Sequence, residues 1–591
     1  MWSHKVFFFS FLILVLGCLL YQYNDFELWT NEDSETCPET QHYDYIVVGA
    51  GSAGCIVASR LSQETNLTVL LIEAGEEFNW LSSVPLAAPL MQGTKLDWSY
   101  STESQKFSSW GLKDNKQIWP RGKGVGGSGM LNYLVHSFGR PNDYANWPTG
   151  WNHKDLSPYF RRFESKISLS EGIPSEDELA KVFLAAGDEV SRNSGRADES
   201  RHHFRRASST LLKGARRSSY HTYLRPVLSS LRLLTNTLVT QLILREDGNA
   251  VEGVAVRFEN GTVARIEARK EIILCAGAVN TPHILMLSGI GPAEELEEHH
   301  IVLRKNITAV GKNLFDHLNV PIYVNLEKPV SLTLRKMQSV VQVLKYIVFG
   351  TGVLASNAII GVGRVNDSGI LLFGMGSADE KMLKDLANFQ TKTFRALFPS
   401  YNNTGHEGFI YLASCLKTKS RGFVGLHSDD PLDAPKIDPA YLQDPDDVAC
   451  TRTAIDLALD TLESSSFRKI GASVHLPDLE QCRHAMKSYR DPEYAKCVMK
   501  VGGIAGHHPG GTCRMGISDD ENAVVDEHLR LKGVEGLRIV DASVLPSQIS
   551  GMPNSVIVAM ADRAVDLLLG YDSIKQSDLS VNEEISDECK N

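Results

Sequence analysis

Cysteine is scarce in this chain: ten in 591 residues, with no C-x-x-C pair and no spacing suited to a metal. That excludes a disulfide-dense scaffold and gives no ground for a metal centre. A basic excess is also missing. Lys and Arg number 60 against 71 Asp and Glu, for a net charge of −11 and a pI near 5.9. Nucleic acid is thereby excluded as a partner, because binding phosphate needs a net basic surface. No segment recurs at the period of about 20–50 residues that marks a solenoid or propeller. What the chain does have is an ordinary globular composition, 43% apolar and 22% charged, over a length that holds two or more domains and a large core.

The cysteines divide by surroundings. Cys18 lies in the first segment. Cys55 and Cys275 fall in apolar elements and read as small buried hydrophobes, whereas Cys37, Cys450, Cys482, Cys497 and Cys589 lie among polar residues where disulfides would be allowed in an oxidising compartment. Cys482 with Cys497 is the expected pair; Cys415 and Cys513 are unassigned. The first segment itself has His4 and Lys5 followed by the fifteen-residue apolar run Val6 to Leu20, with no clean small-residue cleavage site. It reads as a signal peptide or a short membrane anchor over 1–25, and either sends the rest into the secretory lumen. Five N-x-S/T sequons (Asn66, Asn260, Asn306, Asn366, Asn402) are compatible with a secreted glycoprotein.

The strongest local pattern is Tyr45-Ile46-Val47-Val48-Gly49-Ala50-Gly51-Ser52-Ala53-Gly54. Four apolar residues read as a buried parallel strand. Ala53, Ile56, Val57 and Leu61 then fall on one helical face, and the apolar run Leu67 to Ile72 ends in Glu73, nineteen residues past Gly54. Strand, G-x-G-x-x-G, helix, strand and acid in that order form the dinucleotide fingerprint. Gly49 serves the tight turn, Gly51 the approach of a pyrophosphate, Gly54 the packing of helix on strand. Ser52 and Ala53 open the helix, whose N-terminus attracts phosphate. Glu73, followed by Ala74, would accept hydrogen bonds from ribose hydroxyls and repel a 2′-phosphate. This fingerprint alone does not separate FAD from NAD.

A second glycine-rich stretch runs Pro120-Arg121-Gly122-Lys123-Gly124-Val125-Gly126-Gly127-Ser128-Gly129-Met130-Leu131-Asn132. Apolar flanks and a turn-setting proline distinguish it from a flexible linker, and its backbone is expected to come close to a ligand. A third follows the strand-like Glu271 to Leu274: Cys275-Ala276-Gly277-Ala278-Val279-Asn280-Thr281-Pro282. Gly311 to His317, His507 to Gly516 and Leu537 to Asn554 add further motifs.

Together these resemble the signatures of the glucose–methanol–choline (GMC) oxidoreductases, from about Tyr43 to Gly570. The resemblance implies FAD as cofactor and an α/β fold. A Rossmann-type FAD-binding domain would be assembled from 43–325 and 500–570, with an α+β substrate domain on an antiparallel sheet over 326–499. The tail, 571–591, is acidic and expected to be disordered. The resemblance places Gly49, Gly51, Ser52, Ala53, Gly54, Glu73, Ala74, Arg121, Gly126, Gly127, Ser128, Asn132, Val239, Ala276, Gly277, Asp541, Ala542, Pro553 and Asn554 at the cofactor. Asp541 would meet it through side chain or backbone. His508 aligns with the active-site histidine, which would remove the hydroxyl proton while hydride passes to flavin N5; His507, Met552 and Asn554 would line the substrate pocket.

One departure matters. The family's second active-site residue, usually His or Asn, aligns with Met552, which neither accepts a proton nor donates a hydrogen bond to an alkoxide. His508 working alone, Asn554 taking over, and an apolar substrate are the three readings. The expected function is an FAD-dependent alcohol dehydrogenase or oxidase passing electrons to a quinone-type acceptor or oxygen. The style is that of the insect glucose-dehydrogenase-like branch, and Met552 favours an apolar alcohol such as a retinoid or carotenoid over a sugar. The alternatives are sugar oxidation and a flavin-binding protein without turnover. The basic run from Arg201 to Arg217 is expected to be a solvated face.

Overall fold

A computed structural model describes residues 42–167, 169–170, 177–193, 202–377, 379–400 and 402–571. The N-terminal apolar run, Cys18, Cys37, Cys589, Arg201 and the acidic tail lie outside the described residues. Among those described, no helix is long and apolar enough to cross a membrane.

Two seven-stranded sheets organise the chain. The first is built around β1 (His42–Val48) and β2 (Val69–Ile72), joined through helix α1 (Ser52–Glu64). Tyr45 to Val48 and Val69 to Ile72 are all buried and pair in parallel, Tyr45 opposite Val69 through Val48 opposite Ile72. A parallel strand is covered on both faces, so an uninterrupted apolar run is what it requires, and each buried side chain contributes about 1.5–3 kcal/mol. The sheet continues with β3 (Arg232–Leu234), β4 (Thr237–Leu244), β5 (Val251–Phe258) and β6 (Val263–Leu274), in the spatial order β3-β2-β1-β6-β5-β4. β6 is long because its ends do different work. Val263 to Glu267 pairs antiparallel with β5, whereas the later residues run parallel to β1 and to β7 (Leu537–Ile539). From β1 the chain therefore passes first to one side of the sheet, through β2 and β3, and later to the other, through β6 and β7. In such sheets ligands bind in the crevice beyond the strand C-termini at that switch point.

Three helix starts face this crevice: α1, α2 (Gly277–Leu287) and α3 (Pro553–Leu569). α1 and α3 are locked together by buried charges. Arg60 donates to Asp562 at 2.8 Å and to Asp566 at 2.7 Å, while Tyr159 and Arg162 bond the same two carboxylates. At their N-termini Ser52 Oγ donates to Asn554 Oδ1 at 2.6 Å, across 502 positions of sequence.

The second sheet is antiparallel, in the order 473–474, 318–325, 408–415, 368–373, 359–365, 202–206, with 504–505 also pairing 318–325. Helices Asp177–Asn193 and Pro445–Leu462 cover one face. The sequence assigns this unit to 326–499, but the sheet also recruits Leu318–Asn325 and His202–Arg206. The latter strand reads His-His-Phe-Arg-Arg, too charged to show an apolar alternation. It joins the sheet because Phe204 packs edge-on against Phe183 of the covering helix.

The solvated-face expectation fails at Arg216. This side chain is buried and donates to the carbonyls of Ser82 and Gly129 and to Asn132 Oδ1, and burial pushes its pKa down to about 9. A basic run does not disclose which of its members finds three acceptors inside. Cys482 and Cys497 are bonded as expected; a second disulfide joins Cys415 to Cys450, and Cys55, Cys275 and Cys513 are free and buried.

Candidate active site

Between the two sheets lies a cavity of about 740 Å³. Gly49, Gly51, Ser52, Ala53, Glu73, Ala74, Arg121, Gly127, Ser128, Asn132, Val239, Ala276, Gly277, Asp541, Ala542, Pro553 and Asn554 all border it, as do His507, His508 and Met552. Residues separated by up to five hundred positions are thus brought to one surface. Gly54 and Gly126, expected at the cofactor, do not border it. A Cβ on Gly54 would sit 1.9 Å from the Gly49 carbonyl oxygen, so that glycine serves helix–strand packing. Gly126 (φ 100°) turns the chain against Met130 and donates its N–H to the Ala50 carbonyl at 2.7 Å.

The crevice end suits a dinucleotide. A Cβ on Gly51 would meet nothing nearer than the Cys275 carbonyl oxygen at 3.9 Å, and one on Gly277 would meet nothing within 4 Å. Both leave room at helix starts whose first N–H groups have no partner within the helix. The buried Glu73 carboxylate is held by the N–H groups of Ala50 and Gly75 at 2.9 and 3.0 Å. Each carboxylate oxygen keeps a further lone pair. Burial raises its pKa, partly offset by those bonds. Of the two routes expected for Asp541, side chain or backbone, the side chain is already engaged. Its carboxylate is taken up by Gly277 N–H, Thr281 Oγ1 and Ser543 N–H, at 2.9, 2.6 and 2.7 Å. It braces α2, leaving the backbone at Ala542 toward the cavity.

At the other end stands His508. The loop carrying it is zipped to Gly311–His317. Phe315 and Gly510 exchange backbone hydrogen bonds at 3.2 Å, Gly506 N–H donates to the His317 carbonyl at 2.7 Å, and His508 N–H donates to Asp316 Oδ1 at 2.5 Å. Asp316 also accepts from the Tyr441 hydroxyl, and burial lifts its pKa to about 6. His507 has φ 62°, a conformation disfavoured for a side chain of its size and held here by Arg121, whose Nη2 donates to the His507 carbonyl at 2.9 Å. Arg121 thus ties the second glycine loop to the histidine loop.

Among the described residues the His508 ring touches one polar partner: its Nδ1 lies 2.8 Å from Nδ1 of His317. Its pKa is well below the ordinary histidine value, first through burial, then through His317, His507 and Arg121. His507 is pushed down to about 3 by burial and Arg121, and its Nδ1 is buried without a partner. Met552 caps α3, its N–H donating to the Ser137 carbonyl at 2.9 Å. Asn554 is committed through Oδ1 to Ser52, which leaves its Nδ2 as the donor it could offer at the second position. Sequence reasoning missed Asp316 and His317 as parts of the site, although both sit in the motif Gly311 to His317. The hint available was an acid–histidine pair inside an apolar stretch.

Comparison with known proteins agrees with this arrangement. Family profiles described as GMC oxidoreductase match residues 43–319 and 418–561. The Drosophila melanogaster protein named "Neither inactivation nor afterpotential protein G" is 35% identical over 551 residues, covering 90% of this chain and 92% of that protein. "Glucose dehydrogenase [FAD, quinone]" of the same species is 30% identical over 558 residues, covering 89% and 86%. Among solved structures, pyridoxine 4-oxidase from Mesorbium loti superposes with a TM-score of 0.72 at 26% identity, over 89% of this chain and 99% of that one. With its glycine turns, its helix starts and its histidine on one cavity, this chain belongs to the GMC oxidoreductase family.

Proposed function

We propose that the protein is an FAD-dependent oxidoreductase that converts an apolar alcohol to the carbonyl and passes the electrons to a quinone-type acceptor or oxygen. The observation that carries the reading is His508: a neutral, half-buried imidazole at the cavity wall with one nitrogen lacking any partner among the described residues. FAD, when bound, supplies the hydride acceptor at flavin N5. The chain supplies the rest. Gly51, Ser52 and the start of α3 would hold it through backbone N–H groups, Gly277 would leave it room at the start of α2, and Glu73 would hold its ribose. His508 takes the hydroxyl proton as the carbinol carbon gives up hydride, so that two electrons and one hydrogen leave carbon and one proton rests on the imidazole. The positive end of α3 favours negative charge that develops beside it.

Support for an apolar substrate comes from the walls. Ile359, Phe373, Met375, Ile410 and Leu412 of the second unit border the cavity, and so does the Met552 thioether, at the position where the family resemblance implies a hydrogen-bonding side chain. A hydroxylated polyene or retinoid suits such walls better than a sugar, whose many hydroxyls would lose water without replacement partners. Passage through the secretory pathway is supported by two disulfides and by the exposure of all five sequon asparagines.

The test is anaerobic mixing of the flavoprotein with retinoid, sterol and other apolar alcohols and with sugars. Bleaching of the oxidised flavin band by apolar alcohols, with slower or no bleaching by glucose, is the expected result. Bleaching by glucose alone would replace the substrate class, and an unchanged spectrum with every alcohol would make the protein a flavin carrier.

A further inference from the structure

The contact between the two imidazoles fixes more than a position. Their Nδ1 atoms are 2.8 Å apart and the rings stand perpendicular, with centroids 5.0 Å apart. Two neutral imidazoles share such a contact only when one of the facing nitrogens carries a proton and the other is bare. The far side of His317 decides which. Its Nε2 lies 3.0 Å from the Leu416 carbonyl oxygen, and a carbonyl oxygen only accepts. The single proton of neutral His317 therefore sits on Nε2, its Nδ1 is bare, and His508 must be the donor through its own Nδ1. The nitrogen of His508 left without a proton is Nε2. That atom bonds to no described residue, and the ring borders the cavity.

The opposite arrangement would need a cationic His317 donating from both nitrogens. His317 is only 4% exposed, and burial holds its pKa below the ordinary value, so the charged form is disfavoured at neutral pH. Asp316, the nearest acid in sequence, is turned away, its carboxylate occupied by the His508 N–H and the Tyr441 hydroxyl.

We infer that His317 is a positioning residue: by accepting from His508 Nδ1 it fixes the tautomer in which Nε2 is the basic nitrogen facing the substrate. It also ends the chain of donors. The Leu416 carbonyl takes no proton, so a proton captured at Nε2 is not relayed onward through His317. When His508 becomes an imidazolium, the same bare nitrogen of His317 accepts a stronger, charge-assisted hydrogen bond. This inference rests on His508 being the base, and the test separates the two.

In ¹⁵N-histidine NMR of the wild-type holoenzyme, the His508 signals should show protonated Nδ1 and unprotonated Nε2. His317→Leu removes the acceptor. Flavin content should stay near wild type, the His508 signals should become those of a tautomer mixture, and flavin reduction by a saturating alcohol should slow by about tenfold or more. His317→Asp restores an acceptor that cannot donate, and should return the Nδ1–H tautomer and most of the rate. A wild-type spectrum with the proton on Nε2 would overturn the inference, as would His317→Leu with unchanged tautomer and rate. If the leucine variant does not hold FAD, the wild-type spectrum and the aspartate variant decide. A wild-type enzyme with the expected tautomer that no alcohol reduces would instead strike at the role of His508.

Discussion

Replacing His508 by alanine should leave a yellow, folded protein whose flavin alcohols reduce more slowly by roughly two orders of magnitude or more, the usual range for loss of a general base. FAD should be retained because the groups suited to hold it lie at Gly51, Ser52, Glu73 and Gly277, at the crevice end of the cavity. The loop should survive as well, since it is zipped to Gly311–His317 by backbone bonds that alanine preserves. The pH profile of the wild type follows from the same environment. Burial, followed by His317, His507 and Arg121, lowers the pKa of His508, so its free-base form persists on the acid side of the usual histidine value near 6.5. The rate of flavin reduction should accordingly stay level from about pH 8 to about pH 6 and fall only in more acid solution. An inflection near neutrality would mean that the imidazole is more solvated than its position indicates. Full activity of His508→Ala would remove it from the chemistry altogether.

The second large effect separates two glycines only three positions apart. In Gly54→Ala the new methyl would lie 1.9 Å from the Gly49 carbonyl oxygen and 3.2 Å from the Cys275 side chain. α1 would be forced off β1, in the most buried part of the first sheet, and the chain should fail to fold. In Gly51→Ala the methyl meets no protein atom nearer than 3.9 Å, and the backbone φ of −75° suits alanine. That variant should fold normally by circular dichroism, yet bind FAD at least about tenfold more weakly, because the methyl occupies the space a pyrophosphate needs; tenfold is about 1.4 kcal/mol. Titration of the apoprotein with FAD measures this. Wild-type affinity in a folded Gly51→Ala protein would show that the cofactor does not approach there.

What could be read in the sequence was what depends on neighbours in sequence. Ile46 to Val48 and Leu70 to Ile72 are uniformly apolar because parallel strands have no wet face, and Gly49 and Gly54 follow because the protein leaves no room for Cβ atoms there. The likeness of Pro120–Asn132 and Cys275–Pro282 to family signatures located the rest of the crevice. What could not be read depends on distant partners. The strand His202–Arg206 declares itself only through Phe204 against Phe183. Arg216 looks solvated until its three acceptors are seen, and Cys415 finds Cys450 thirty-five residues away. His317 lies in a motif that the sequence displays, but its role depends on a bond to a ring 191 positions later. Asp541 and Asn554 show the same limit: their places at the cavity were legible, their commitment to Thr281 and Ser52 was not.

The visible spectrum of the purified protein bears most directly on the claim that these turns converge on a single flavin. The preparation should be yellow, and denaturation should release FAD at about one per chain, or a pale preparation should take up added FAD to that ratio. A colourless, correctly folded protein that binds no added FAD would contradict the account.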